Sequence, residues 1–319
     1  MKISVIIPTL NRPDDLSRCL EAIVRNTIQP DEVVIIEQGD VQKTEEIVRL
    51  SGINAQVIFL SEKSLTIARN LGIKETYGDL IIFIDDDVVV TVNYFATLKD
   101  YFLSFSNVKV LGIVGKDLVY SSKQKSWTDY VRQAIGVIFW RSTFGNRSRV
   151  LLSGHNVLRN TADEEQVIEW ISGASMVYRR SVFDVVSFDT RFIRWSFNED
   201  VSLSYQVHQL YPNSLRYIPA LEYSHNESKT ERLLNEQIIR MSVIYRYIFW
   251  SEQIKHKSVF SVGAYIWSQV GFCVIQLISY PSFKTFYLLS DTYKYILKNR
   301  TSILKGDCNF NVFILSQQR

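Results

Sequence analysis

The stretch Leu80-Ile81-Ile82-Phe83-Ile84-Asp85-Asp86-Asp87 decides the reading of this chain. Five apolar residues in a row, following the stop signal Gly78-Asp79, suit a strand buried on both faces of a sheet. Three carboxylates follow with no spacer. Adjacent carboxylates repel and raise each other's pKa, and a hard divalent ion, which prefers oxygen ligands, relieves that repulsion. Alternation along an extended chain points Asp85 and Asp87 to one side and Asp86 to the other. Most acidic runs are only solvated loops, but here an apolar strand delivers the acids to a sheet end.

Working outward, Ile3–Ile7, Glu32–Ile36 and Gln56–Leu60 have the same short, nearly continuous apolar character. Helical segments lie between them. Pro13 with Asp14 and Asp15 suits a helix start, Thr44–Leu50 is a shorter helix, and Ser64–Tyr77 is a longer one. A βαβαβαβ order implies a doubly wound, mostly parallel sheet flanked by helices, with right-handed crossovers. Ligands of such sheets bind beyond the carboxyl ends of the strands. Pro8-Thr9, Glu37 through Asp40, and Asp85 through Asp87 each follow a predicted strand, so three polar clusters converge on one edge.

Farther along, Val108–Val114, Trp170–Tyr178 and Leu215–Ile218 read as strands, Arg180–Val186 and Asp200–Leu210 as helices, and Tyr120–Arg149 as irregular. At 319 residues the chain has room for one large domain and an appendage. A net charge of +3 is too small to argue for a nucleic-acid partner. Cys19, Cys273 and Cys308 are scattered, which suits reduced thiols in the cytoplasm. Met1-Lys2 runs directly into Ile3–Ile7 and Pro8, which leaves no apolar signal region. A cytoplasmic location, at the inner face of the membrane if the C-terminal region attaches there, is expected.

Ser4-Val-Ile-Ile-Pro-Thr-Leu-Asn-Arg, Ala68-Arg-Asn-Leu-Gly and Phe83-Ile-Asp-Asp-Asp-Val resemble, in this order, the signatures of the family 2 glycosyltransferases. The resemblance covers about residues 1–226 and implies the GT-A fold. It also implies a D-x-D motif in Asp85 and Asp87, holding Mn²⁺ or Mg²⁺ against the diphosphate of a nucleoside-diphosphate sugar, with Asp86 close to the nucleotide. Pro8, Thr9, Asn11 and Arg12 match the loop beside the nucleobase and ribose. Glu37 stands where the family usually has an aspartate reading the base, with Asp40 after it, a departure that leaves the nucleobase open. Arg69 matches the arginine near the base and diphosphate.

In the second half, Trp170-Ile-Ser172-Gly173-Ala174 resembles the strand lining the acceptor pocket, where small residues let backbone approach a sugar. Trp170 and Trp195 suit either stacking on a sugar or the core. Trp195-Ser-Phe-Asn-Glu199-Asp200 looks like the acidic pair that opens a helix and supplies the base, Asp200 being the choice and Glu199 its neighbour. His225 matches the histidine completing the metal site. Displacement at an anomeric carbon wants the acceptor hydroxyl deprotonated, so one base and one metal suffice and the configuration inverts.

The expected division is a GT-A domain over 1–228, with a nucleotide half to about 115 and an acceptor half over 116–228, then a helical region over 229–319. Within the latter, Ser258–Phe283 carries no charged residue and is flanked by Lys257 and Lys284. It is long enough to span a membrane, yet Gln269 and Gln276 dilute it. A span, a membrane-surface helix and a buried helix all stand open. Gln237-Ile-Ile-Arg240-Met241 resembles the Q-x-x-R-W motif of processive synthases, with methionine in place of the tryptophan. The expected activity is therefore transfer of one sugar to a hydroxyl of a saccharide or lipid-linked saccharide. A sugar-nucleotidyltransferase would have a glycine-rich loop after the first strand, and Pro8 through Arg12 contain no glycine. An inactive nucleotide-binding module is the remaining alternative.

Overall fold

The computed structural model describes residues 1–104, 109–124, 126–145, 147–159, 162–194, 196–228, 235–306 and 310–316. Its strands are β1 (Ile3–Thr9), β2 (Glu32–Glu37), β3 (Ala55–Phe59), β4 (Leu80–Ile84), β5 (Val88–Val90), β6 (Gly112–Asp117), β7 (Arg149–Val150), β8 (Asn156–Val157), β9 (Gln166–Val167), β10 (Ser175–Arg179) and β11 (Leu215–His225). The helices are α1 (Pro13–Val24), α2 (Val41–Ser51), α3 (Leu65–Lys74), α4 (Tyr94–Ser104), α5 (Leu118–Ser122), α6 (Trp127–Ile138), α7 (Glu199–Leu210), α8 (Asn235–Phe249), α9 (Ser261–Ser279), α10 (Phe283–Lys305) and α11 (Phe310–Leu315).

The main sheet runs β3-β2-β1-β4-β10-β6-β11-β5, with β9 also on β11. β3, β2, β1 and β4 are mutually parallel, as are β6 and β11. β10 lies antiparallel between β4 and β6, and β5 antiparallel against β11. The architecture is the expected mixed, mostly parallel sheet flanked by helices, with a helical C-terminal region. β1 and β4 are buried along their whole length, as their unbroken apolar runs require. Pro13 opens α1 with two acids in its first turn, and the Asp40 side chain caps α2 by accepting from the Lys43 N–H.

Several expectations shift. The Val108–Val114 strand begins at Gly112, its first expected residue lying outside the described residues. Trp170–Tyr178 contracts to β10, because Gly173 and Ala174 form a turn. The stretch read as irregular over Tyr120–Arg149 contains α6, opened by a capping box between Ser126 and Asp129. The uncharged run Ser258–Phe283 is α9 followed by a break at Tyr280-Pro281, after which α10 begins.

The chain divides into two compact units. The first comprises Met1–Lys123, Leu158–Trp195 and Glu199–Glu231; the second comprises Gln124–Val157, Ser196–Asn198 and Arg232–Arg319. Residues 124–157 thus group with the C-terminal helices, whereas the sequence division at 228 kept them with the sheet. The first unit holds the main apolar core, built on both faces of β1, β4 and β10. In the second, Arg240 is buried on α8 and donates to Phe313 O and Ser316 O, while Gln237 donates to Leu315 O. These two residues of the Q-x-x-R pattern clamp the last helix.

One glycine is required by a close approach. A Cβ on Gly115 in β6 would stand 1.8 Å from the Leu221 carbonyl oxygen, where the β6–β11 register shifts. Gly115→Ala is expected to cost about 1–3 kcal/mol by overpacking, read as a lowered urea midpoint. An unchanged midpoint would contradict this account of the bulge.

Candidate functional site

The carboxyl ends of β1, β2 and β4 bring their polar residues together. Thr9 pairs with Glu37 in the β1–β2 register, and the Asp85 N–H continues the β4–β10 ladder by donating to Ala174 O at 3.1 Å. A turn closes from the Val88 N–H to Asp85 O, also at 3.1 Å. β5 then pairs with β11 so that His225 stands opposite Val88. That register carries an imidazole from late in the chain to the residue beside Asp87.

Each of the three acids meets its own cation. Asp86 turns away from its neighbours, accepting from Thr9 Oγ1 at 2.7 Å and Arg12 Nη1 at 3.0 Å. Asp85 pairs with Arg69 Nη2 at 2.8 Å. Asp87 Oδ2 accepts from the Ser228 N–H at 2.8 Å. Its Oδ1 stands 3.1 Å from His225 Nε2, but without a well-directed hydrogen bond. Asp85, Asp87 and His225 offer ligand atoms all within 4.8 Å of one another. Two carboxylates and an imidazole, with a buried carboxylate oxygen lacking a hydrogen bond, fit a divalent ion such as Mn²⁺ or Mg²⁺.

Electrostatics follow from burial and pairing. Burial pushes Asp86 up to about 7, against the pull of Arg12 and Thr9. Asp85 is raised by burial despite Arg69. For His225 burial opposes the charged ring, yet the Asp87 carboxylate, then Asp85 and Asp117, raise it to about 9. Burial also works against the Asp87 carboxylate, but His225, the Ser228 amide and Arg12 together bring it below its usual range.

Arg69 extends the cluster. It is fully buried, and besides Asp85 it holds Glu199 through Nη1 and donates to Gly173 O at 3.1 Å. Asp200 stands next to Glu199 at the start of α7. Its oxygens accept from the Gly173 N–H at 2.9 Å and the Val201 N–H at 2.7 Å. Burial raises Asp200, and burial with the neighbouring Asp200 charge pushes Glu199 up to about 8. A Cβ on Gly173 would lie 3.3 Å from Asp200 Oδ2, so glycine permits this approach. Arg194, Ser196 and Asn198, just before the pair, all have positive φ, a backbone conformation concentrated at functional sites.

A family profile described as glycosyl transferase family 2 matches residues 4–186, more than half of the chain. The chain belongs to that family. Among its relatives, an uncharacterised glycosyltransferase YwdF of Bacillus subtilis is 26% identical over 65% of this chain and 70% of its own length. The O-antigen chain rhamnosyltransferase RfbN of Salmonella typhimurium is 26% identical over 59% and 55%. The glycosyltransferase GlyA of Streptococcus pneumoniae is 22% identical over 59% of this chain, which spans only 26% of that relative. In fold, the chain is similar to glucosyl-3-phosphoglycerate synthase of Mycobacterium tuberculosis in complex with UDP (TM-score 0.52, 15% identity, 81% of this chain and 82% of that one). It also resembles the mannosyltransferase PcManGT of Pyrobaculum calidifontis in complex with GDP-Man and Mn²⁺ (TM-score 0.51, 13% identity, 95% and 84%). These neighbours share the GT-A architecture with this family 2 glycosyltransferase.

The remaining sequence-predicted residues fall into three groups. Pro8, Thr9 and Arg12 line the loop that grips Asp86, and Asn11, in a left-handed conformation, accepts from the Asp40 N–H over Gly39. Glu37 is turned inward: it is buried and accepts from the Gly39 N–H and Thr44 Oγ1. Arg69 likewise lies inside the protein. Trp170 is buried, with Ser172 and Gly173 half-buried and Ala174 buried. Trp195 lies outside the described residues. Two contributors escaped the sequence reading, the Ser228 amide on Asp87 and Asp117, which accepts from the His225 N–H at 3.4 Å. Asp117 carried a signal, a carboxylate at the end of a strand; a backbone amide carries none.

In the metal-free protein His225 is expected to titrate near pH 9, so the ring is charged at neutral pH. Asp87→Asn removes the carboxylate that raises it and leaves the burial that lowers it, so the midpoint should fall. Imidazole resonances followed by NMR check this, and an unmoved midpoint would contradict the pairing.

Proposed function

We propose that this protein is an inverting, metal-dependent glycosyltransferase that moves one sugar from a nucleoside-diphosphate sugar to a hydroxyl of a saccharide or lipid-linked saccharide. The observation that carries this reading is the continuity from Asp85 through the Arg69 guanidinium to Glu199 and Asp200. One side chain couples the candidate metal cluster to the candidate base. Asp85, Asp87 and His225 would hold Mn²⁺ or Mg²⁺, which supplies positive charge against the leaving diphosphate.

The chain's own residues do the rest. Thr9 and Arg12 fix Asp86, which keeps the loop beside the nucleotide closed against β1. Arg69, enclosed by its carboxylates and the Gly173 carbonyl, positions the acidic pair and does not need to reach the donor. Glu199 is held by Arg69, so Asp200, half-exposed and bonded only to two amides, is the better placed proton acceptor. It takes the proton from the acceptor hydroxyl as the new bond forms. Ser172 and Gly173 give the acceptor a low-profile backbone surface. The inward turn of Glu37 supports a role in holding α2 to β2, and leaves base recognition to the backbone around Thr9 and Asn11.

Attachment to a membrane surface is the second part of the reading. Among the described residues α9 is the one helix long and apolar enough to cross a membrane, and only a third of it is buried. In the same unit Phe260, Phe283, Trp127 and Phe144 are all more than two-thirds exposed. Aromatic side chains of this kind suit a lipid interface.

Asp87→Ala is expected to abolish metal-dependent binding of a nucleoside diphosphate in calorimetric titration. Asp200→Asn should retain that binding and lower transfer by about 10²–10⁴-fold; normal turnover would remove Asp200 from the role of base. Because Asp200 is raised, kcat/KM should begin to fall at a pH above the ordinary aspartate range as acidity increases. An acid limb at the ordinary aspartate position would contradict the raised base.

A further inference from the structure

Two arginines of the second unit, one buried and one half-buried, pair with no acid among the described residues. Arg246 on α8 is buried, with Nη1 donating to Gly154 O at 2.8 Å and reaching Asn156 Oδ1 at 3.5 Å. Its guanidinium lies 5.4 Å from the Phe197 ring centroid. Arg141, just past α6, donates through Nη1 to Ser268 O at 3.2 Å and lies 5.1 Å from the Phe272 ring centroid. The loop that carries His155 touches both: Ser153 Oγ donates to the Trp140 carbonyl beside Arg141, Gly154 O accepts from Arg246, and the buried His155 Nε2 has no hydrogen-bond partner.

Arg12 meets Asp86, Arg69 meets Asp85 and Glu199, and Arg240 meets Asp291. Among the described residues no carboxylate pairs with Arg141 or Arg246. Burial first, and then the charges of Arg246 and Arg141, hold His155 well below the usual imidazole range. Burial, and then Arg141, push Arg246 down to about 9. Neutral carbonyls and ring faces only partly offset a buried guanidinium; an anion that bridges two of them does so far better.

We propose that Arg141, Arg246 and His155, none of them assigned to the nucleotide sugar, form a phosphoryl-binding site in the second unit for a phosphate or diphosphate group that is either free or part of a lipid headgroup. Two guanidinium forks and an imidazole N–H match the several acceptor oxygens of a phosphoryl group. Arg141 is only half-buried, so the cluster has a side through which such a group can enter. Access by a carboxylate would leave one donor group unanswered.

The test is calorimetric titration of the full chain with inorganic pyrophosphate in excess chelator, which silences any metal-dependent nucleotide site. One binding event is expected, weakened at least about tenfold in Arg141→Gln and in His155→Gln, in line with the loss of a charge-assisted contact. Arg141→Gln should still bind a nucleoside diphosphate with metal, which shows that it is folded. Sedimentation with phosphatidate vesicles, against phosphatidylcholine vesicles, forms the second arm. Binding of pyrophosphate assigns the site to free phosphate, and Arg141-dependent binding of phosphatidate alone assigns it to a headgroup. The proposal is overturned if neither binds, if both variants bind as the parent does, or if acetate binds as tightly as pyrophosphate.

Discussion

A guanidinium with no access to water, Arg69, joins the end of β4 to the start of α7. Taking such a charge out of solvent costs several kcal/mol, and removing one partner of a buried pair leaves the other uncompensated. Asp85, Glu199 and the Gly173 carbonyl together meet that requirement. The geometry of the site depends on it, because these partners come from a strand end, a helix start and a tight turn with little else in common. α3 can present Arg69 there because Gly72, one turn on, lets the helix press against Ile6 of β1, where a Cβ would stand 2.4 Å from the isoleucine side chain.

The same logic of local neutralisation governs the acidic triplet. Three adjacent carboxylates are tolerated because the turn after β4 hands them to three different cations, Arg69, Arg12 and His225. Only the pair of Asp87 with His225 is poorly directed. Its imidazole comes from the end of the longest strand of the sheet, β11, which continues past its partner β6 through a register shift to reach β5. A shorter β11 would leave Asp87 without its imidazole.

Much of this was legible in the chain. β1, β2 and β4 announce themselves as unbroken apolar runs, and the acids after β4 mark the candidate site edge in the sequence itself. The direction and place of β10 were not legible, because an apolar run specifies burial but not which strands it separates. The burial of Arg69 was hidden for a different reason: an arginine on a helix ordinarily faces solvent, and one of its two acidic partners, Glu199, lies 130 residues away. The inward turn of Glu37 onto Gly39 and Thr44 was not legible either, because position along β2 says where a side chain starts and not which way it folds. The Ser126-Asp129 capping box was readable, but the basic, aromatic-rich stretch around it masked the periodicity of α6.

The insertion of β10 between β4 and β6 has a consequence for synthesis. When the ribosome has released β1 through β6, the Leu-Ile-Ile-Phe-Ile strand lacks one of its two neighbours, β10, which is still about sixty residues from being made. Until then the most apolar strand of the sheet presents an open row of backbone donors and acceptors, the kind of edge that invites pairing between nascent chains. How long that edge stays open is set by the strand order, because β10 is the strand that covers it.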